Sequence, residues 1–328
     1  MRALMCTEYG SHETLTLADV PEPSPGPGQV LIDVHAASLN FPDLLVIRGE
    51  YQFKPEPPFI PGAEAAGVIS ALGEGVTRFA VGQRVTSFGV AGAFAQRRVA
   101  DEGMVIPIPD EISFATAGAM TMAYGTSYHA LVQRGRLEPG ETLLVLGASG
   151  GVGSTAVEIG KLLGATVIAA ASSEAKLEFC RSLGADHTIN YTTADLRATI
   201  KEMTDGRGVD VIYDPVGGDI VEPAFRSIAW GGRYLVIGFA AGDVPAIPLN
   251  LPLLKVASIV GVFFGSFSAK QPELAAANLE SIATSIIAGD LKPPITKTFR
   301  LDEAVDAFDL LATRTAMGKV VLQISDDS

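Results

Sequence analysis

The chain has 328 residues, 48% of them hydrophobic and 19% charged, and a formal net charge of −13. This length points to two domains, and the apolar content excludes a disordered chain. The acidity argues against nucleic acid and anionic membrane surfaces as partners.

The first 120 or so residues read as short strands punctuated by Pro and Gly. Pro21, Pro23, Pro25 and Pro27 mark a rigid loop before a strand at Val30–Ala37, with further strands at Gly67–Gly73, Val81–Val85 and Gln96–Val99. Helical patterning runs from Phe114 to Val132. Then the pattern changes. A buried-strand run, Thr142–Leu146, leads through a glycine-rich turn into an amphipathic helix at Gly151–Leu163. Strands at Thr166–Ala170, Thr188–Asn190, Val209–Tyr213, Tyr234–Ile237 and Ala257–Phe263 alternate with helices at Glu174–Leu183, Ala194–Met203 and Val221–Ile228. Such alternation with short loops predicts a doubly wound parallel sheet. From Pro272 a long helix, a short strand, a helix at Leu301–Thr313 and a last strand at Val320–Gln323 follow, and the last strand is free to return to the N-terminal module.

Cys6 and Cys180 stand far apart without metal-type spacing, which fits reduced thiols in a cytoplasmic protein. The N-terminus turns polar too early for a signal peptide, and no apolar run approaches the roughly 20 residues of a membrane helix.

The segment Gly147-Ala148-Ser149-Gly150-Gly151-Val152-Gly153 follows a strand and opens a helix, the context a dinucleotide fingerprint requires. Glycines let the backbone approach a pyrophosphate, and the helix N-terminus offers N–H donors at Ser149, Gly150, Gly151 and Val152. An NAD site usually carries Asp or Glu at the end of the second strand. Here that end is Ala170-Ala171-Ser172-Ser173. Ser172 and Lys176, with Tyr191 from the third strand, suit a 2′-phosphate instead and indicate NADPH. The plainer alternative is that Ser172 caps a helix and Lys176 is solvated.

Taken in order, Asn40-Phe41-Pro42-Asp43-Leu44-Leu45, Gly49-Glu50-Tyr51, Pro61-Gly62-Ala63-Glu64-Ala65-Ala66-Gly67, Gly82-Gln83-Arg84-Val85, the turn at Gly147–Gly153, Leu183-Gly184-Ala185-Asp186, Asp214-Pro215-Val216-Gly217-Gly218 and Gly318-Lys319-Val320-Val321-Leu322 resemble the medium-chain dehydrogenase/reductase superfamily over nearly the whole chain. The branch most similar is that of the zeta-crystallin-like NADPH:quinone oxidoreductases. The resemblance implies an α/β protein with a GroES-like, β-rich catalytic domain (1–121 and 266–328) and a Rossmann domain with a six-stranded, doubly wound parallel sheet (122–265). Zinc-dependent alcohol dehydrogenases of this superfamily carry metal ligands where this chain has Asn40 and Ala63, and a structural zinc lobe needs four cysteines. His12, His35, His129 and His187 lack ligand spacing. No metal is expected.

Without zinc to polarise a carbonyl, hydride transfer to an electron-poor acceptor, a quinone or an α,β-unsaturated carbonyl, is the expected chemistry. The resemblance places Asn40 and Tyr51 near the nicotinamide as candidate catalytic groups. Asn40 is placed to donate an N–H to the acceptor oxygen or the nicotinamide ribose, and Tyr51 to give a proton or a hydrogen bond; the alternatives are a turn residue and an aromatic lid. It also places Thr126, Gly238, Phe239, Phe263, Phe264, Arg314 and Lys319 at the cofactor. The aromatic pairs are equally open to core packing, and Arg314 and Lys319 to being surface charges. Two other functions stay open: a 2-enoyl thioester reductase acting on an acyl-CoA, and a non-enzymatic NADPH-binding sensor or structural protein. The apolar strand Ala257–Phe264 reads as a sheet edge, and relatives pair this edge across a two-fold axis, so a homodimer is expected.

Overall fold

The computed structural model describes residues 1–325. It divides into two units: Met1–Ala123 with the stretch from Ser268 onward, and Tyr124–Phe267.

The first unit opens with an antiparallel pair that the sequence pattern did not reveal, β1 (Arg2–Met5) and β2 (Thr16–Asp19). β3 (Gln29–Leu39) follows the proline loop and ends at a short helix, α1 (Phe41–Ile47). Pro42 in the first turn favours that helix, and Asp43 Oδ2 accepts the Asn40 N–H at 2.7 Å, tying the turn shut. β4 (Glu64–Leu72), β5 (Arg84–Phe88), β6 (Arg97–Asp101) and β7 (Val105–Pro107) come next. The expected strand over Val81–Val85 starts instead at Arg84, because Gly82 takes φ +88° and turns the chain. The helix α2 (Phe114–Tyr128), finished by a π-helical turn at His129–Arg134, carries the chain into the second unit.

There the alternation predicted from the sequence is present: β8 (Thr142–Leu146), α3 (Gly151–Leu162), β9 (Thr166–Ala171), α4 (Glu174–Ser182), β10 (His187–Asn190), α5 (Leu196–Met203), β11 (Val209–Asp214), α6 (Val221–Arg226), β12 (Ile228–Val236), α7 (Asn250–Lys255) and β13 (Ser258–Gly261). The six strands are parallel in the order β10-β9-β8-β11-β12-β13. Strand order reverses at β8 and β11, and the carboxyl end of such a switch point is where open α/β sheets bind ligands. Leu144, Ile168, Ile189, Ile212, Phe225 and Tyr234 belong to the core packed on this sheet. β13 is the outermost strand, as expected, but it ends at Gly261 rather than Phe263.

The chain returns to the first unit through α8 (Phe264–Lys270) and α9 (Pro272–Ala288), then β14 (Ile295–Arg300), α10 (Ala304–Ala312) and β15 (Lys319–Gln323). β15 lies between β14 and β3, parallel to one and antiparallel to the other. The resulting sheet runs β14-β15-β3-β4-β5-β7, with β6 also paired to β3. Leu39, Leu44, Ile47, Phe94, Phe308, Val320 and Leu322 fill one of its cores. Among the described residues no helix is long and apolar enough to cross a membrane.

Candidate active site

In the second unit the glycine turn leaves β8 at Gly147, whose φ of +57° suits glycine. Gly150 then caps α3 with no side chain bonded to the first-turn N–H groups. The next two helices differ: Ser173 Oγ caps α4 and Asp195 Oδ1 caps α5. α3 thus keeps free donors and the positive end of its dipole for an anion. A Cβ on Gly153 would meet the Gly147 carbonyl oxygen at 2.3 Å, so only glycine lets α3 run this close to the strand. A Cβ on Gly150 would meet nothing nearer than 3.4 Å, so the outer side of the turn is open. Ser149 is buried and Val152 half-buried.

A buried network holds this turn, and sequence reasoning missed it. Ser127 Oγ donates to the Val152 carbonyl at 3.0 Å and lies 2.8 Å from both Thr155 Oγ1 and Tyr213 Oη. These residues come from α2, α3 and β11, and no local spacing signals their meeting.

At the end of β9 the Lys176 ammonium lies 3.3 Å from Ser172 Oγ, both half-buried. Tyr191 is half-buried and its N–H bonds the Ala171 carbonyl. Glu174, the acid that comes slightly late for a ribose contact, is paired with Arg181 at 2.8 Å. Thr126 is half-buried on α2. Gly238 and Phe239 lie in the loop after β12 rather than on the strand, with the Gly238 N–H on the Asp214 carbonyl. Phe263 is exposed beyond β13. Phe264 begins α8 and is buried, its ring so close to Gly125 that a Cβ there would meet it at 2.6 Å. Of the two readings for Phe264, its side chain takes core packing.

In the first unit, Asn40 and Lys319 meet in a buried polar cluster. The Lys319 ammonium reaches Asn40 Oδ1 at 2.6 Å, Glu64 Oε1 at 2.9 Å and the Leu39 carbonyl at 3.2 Å. Lys319 is 2% exposed and Glu64 0%, so Lys319 is not the surface charge that was one sequence expectation. Glu64 Oε1 also accepts from Ser38 Oγ and Asn40 Nδ2, and Oε2 accepts the Met122 N–H. Asn40 Nδ2 has one further contact, the Ser38 carbonyl at 3.4 Å. The expected freely donating amide is thus largely engaged within the protein. Losing one partner of such a buried pair costs about 3–5 kcal/mol, whereas replacing both with apolar groups is often neutral. Such a cluster is therefore weak evidence for stability. Arg314 is exposed at φ +57°.

Two further charges are buried beside this cluster. Burial pushes the Asp43 carboxyl up to about 7, against the opposing pull of the Asn40 N–H and the Lys319 charge. Arg98 bonds the Ser87 and Ala91 carbonyls, and burial lowers its guanidinium to about 10. Tyr51, half-buried and 6.2 Å from Phe53 between ring centres, has its phenol raised by burial and then by the Asp43 charge.

Metal ligands are not assembled: among the described residues no three of His, Cys, Asp and Glu stand together as a ligand set. His12 bonds Asp309, His35 stacks on Phe114 and His129 stacks on Phe267. Cys6 and Cys180 are buried and free, and burial raises the Cys180 thiol to about 12.

Known proteins share this architecture. The family description "Zinc-binding dehydrogenase" matches residues 151–281, and "Alcohol dehydrogenase GroES-like domain" matches residues 26–110. A quinone oxidoreductase-like protein 2 homolog of Nematostella vectensis is 38% identical over 98% of this chain and 88% of its own length. The quinone oxidoreductase structure from Pseudomonas syringae pv. tomato DC3000 is 32% identical with a TM-score of 0.93, covering 98% of this chain and 99% of that one. The Escherichia coli quinone oxidoreductase complexed with NADPH is 26% identical with a TM-score of 0.92, covering 99% and 100%. The chain belongs to the medium-chain dehydrogenase/reductase superfamily, in its quinone oxidoreductase-like branch.

Asp43 makes a pH prediction. Its folded-state pKa lies above the ordinary 3.8, so the native state binds this proton more tightly than the unfolded chain does. Its stabilising contribution is whole below about pH 4 and is lost as pH rises through about 7. Urea unfolding should show Asp43→Asn gaining stability relative to the wild type between pH 5 and pH 8. Parallel curves for the two proteins would remove the assignment.

Proposed function

We propose that this oxidoreductase transfers hydride from NADPH to a quinone or an α,β-unsaturated carbonyl and uses no zinc. The observation that carries the reading is the Lys176–Ser172 pair at the end of β9, where an NAD site would present an acid and this chain presents none. The second unit carries groups suited to most of the cofactor. The uncapped first turn of α3 would take the pyrophosphate, and Ser172, Lys176 and Tyr191 the 2′-phosphate end. Thr126, the Gly238–Phe239 loop and Phe263 are proposed for the nicotinamide end, with Arg314 as a further basic contact.

NADPH supplies the hydride; the protein orients it and manages charge on the acceptor. As hydride reaches carbon, negative charge grows on the acceptor oxygen. An Asn40 N–H is proposed to stabilise that charge. Tyr51 stays protonated at neutral pH, since burial and Asp43 both raise its phenol. It can therefore donate a hydrogen bond to the oxygen. Positions 40 and 63 hold Asn and a buried Ala. Neither provides the thiolate or imidazole that zinc favours. The exposed Ile259 on β13 and Leu249, Leu253, Leu254 and Val256 before it form an apolar margin beside an open strand edge. We propose that a second copy pairs there.

Stopped-flow NADPH oxidation should be faster with 1,4-benzoquinone or a simple enone than with crotonyl-CoA. The reverse order would assign a thioester reductase, and no turnover despite tight NADPH binding would assign a sensor. Lys176→Ala should raise the NADPH dissociation constant roughly tenfold, about 1.4 kcal/mol, and leave NADH nearly unchanged; equal shifts for both would refute the 2′-phosphate contact. Elemental analysis of the purified protein should find no stoichiometric zinc, and one equivalent per chain would overturn the zinc-free reading. Light scattering should give the mass of two chains, and a mass of one chain would exclude the dimer.

A further inference from the structure

The Lys319 ammonium has three hydrogens, and three acceptors hold them: the Leu39 carbonyl, Asn40 Oδ1 and Glu64 Oε1. No donor remains for a phosphate or a ribose hydroxyl. A basic residue on this strand therefore does something other than bind the cofactor directly.

We infer that Lys319 and Glu64 are positioning residues that lock the Asn40 carboxamide in one orientation, and that the Lys319 ammonium strengthens the N–H it offers. The inference rests on the proposed role of Asn40 at the acceptor oxygen and extends it to the groups that make that role possible.

The lock follows from donor and acceptor counting. Asn40 Oδ1 faces an ammonium at 2.6 Å, and Nδ2 faces a carboxylate oxygen at 2.9 Å. Rotating the amide by half a turn would set Nδ2 against Nζ, two donors, and Oδ1 against Glu64 Oε1, two acceptors. Both contacts would turn repulsive in a water-poor interior, where such errors cost most. Neither partner can move to relieve them. Glu64 accepts from Ser38 Oγ, Asn40, Lys319 and the Met122 N–H, which ties it to β3, β15 and α2 at once. Lys319 is held by the carbonyl at the end of β3 as well as by its two side-chain partners.

The same geometry leaves a remainder. An amide nitrogen has two hydrogens. One is committed to Glu64; the other has only the Ser38 carbonyl, at 3.4 Å, a long contact. The residue as a whole is 9% exposed. The ammonium on Oδ1 draws electron density from the amide and makes this second N–H a stronger donor. The protein thus places a cation one amide away from the proposed oxyanion: close enough to polarise the donor, and too fully bonded to touch the substrate.

The test compares Lys319→Met, Lys319→Arg, Asn40→Ala and the double variant Lys319→Met/Glu64→Gln, which removes both buried charges and keeps the protein testable should the single change fail to fold. Readouts are kcat and KM with the best acceptor, the NADPH dissociation constant from cofactor fluorescence, and thermal melting. In Lys319→Met and in the double variant, kcat should fall about tenfold or more with KM and NADPH affinity within about twofold. Lys319→Arg should recover part of the loss. In an Asn40→Ala background, Lys319→Met should add almost nothing, since both act through one group. A rise in the NADPH dissociation constant with kcat unchanged would return Lys319 to the cofactor and sink the inference. Additive losses would do the same. The two readings separate cleanly: if Asn40→Ala leaves kcat unchanged, the role proposed for Asn40 falls and this inference with it. If Asn40→Ala lowers kcat and the Lys319 variants do not, only the inference falls.

Discussion

An ammonium removed from water must find three acceptors inside the protein, and Lys319 finds them at the end of β3, on the first residue of β4 and on the residue that opens α1. Much of the first unit follows from meeting that demand. β15 must lie beside β3 for the side chain to reach, α1 must start at Asn40, and α2 must present the Met122 N–H to the far oxygen of Glu64. Hydrophobic cores tolerate many side-chain combinations of similar volume. A polar cluster with nearly every group bonded tolerates few, because each unmet donor or acceptor carries the full cost of its dehydration.

The second unit solves a different electrostatic problem. The chain is strongly acidic, while the Escherichia coli quinone oxidoreductase it resembles was solved with NADPH, a polyanion. Backbone N–H groups at an uncapped helix start attract anions without adding positive side chains. The Ser127–Thr155–Tyr213 network steadies that start from beneath, and Asp214 organises the neighbouring loop by accepting from Tyr234 Oη and the N–H groups of Val216 and Gly217. Lys176, one strand away, lies 3.3 Å from Ser172 Oγ.

Which of these features can be read from the sequence depends on their range. The parallel sheet is legible because each strand is a short apolar run and each helix has its own periodicity; both signals are local. The glycine turn is legible for the same reason. The cluster around Lys319 is not: its bonds join residues 255 and 279 positions apart, and Gly318-Lys319-Val320 looks like any basic entry into a strand. The boundary at Gly261 is hidden too. Val262, Phe263 and Phe264 continue an apolar run, but Phe264 fills the space that Gly125 leaves by lacking a side chain, and the chain turns into a helix to allow it. α1 is only seven residues long, too short for a periodic signal, and Asn40, Pro42 and Asp43 alone mark its start.

β15 closes the first unit with residues from the far end of the chain, whereas the second unit is one continuous stretch. Proteins are made from the N-terminus, and domains fold as units when all their parts are present. On the ribosome, then, the older unit has to wait for the younger one. Until β15 is synthesised, Glu64 and Asn40 lack the Lys319 ammonium, and the Ala36–Leu39 end of β3 has no strand on that side, while its Gln29–Asp33 end is paired with β6. The intervening unit can be complete while the unit on either side of it still lacks a strand.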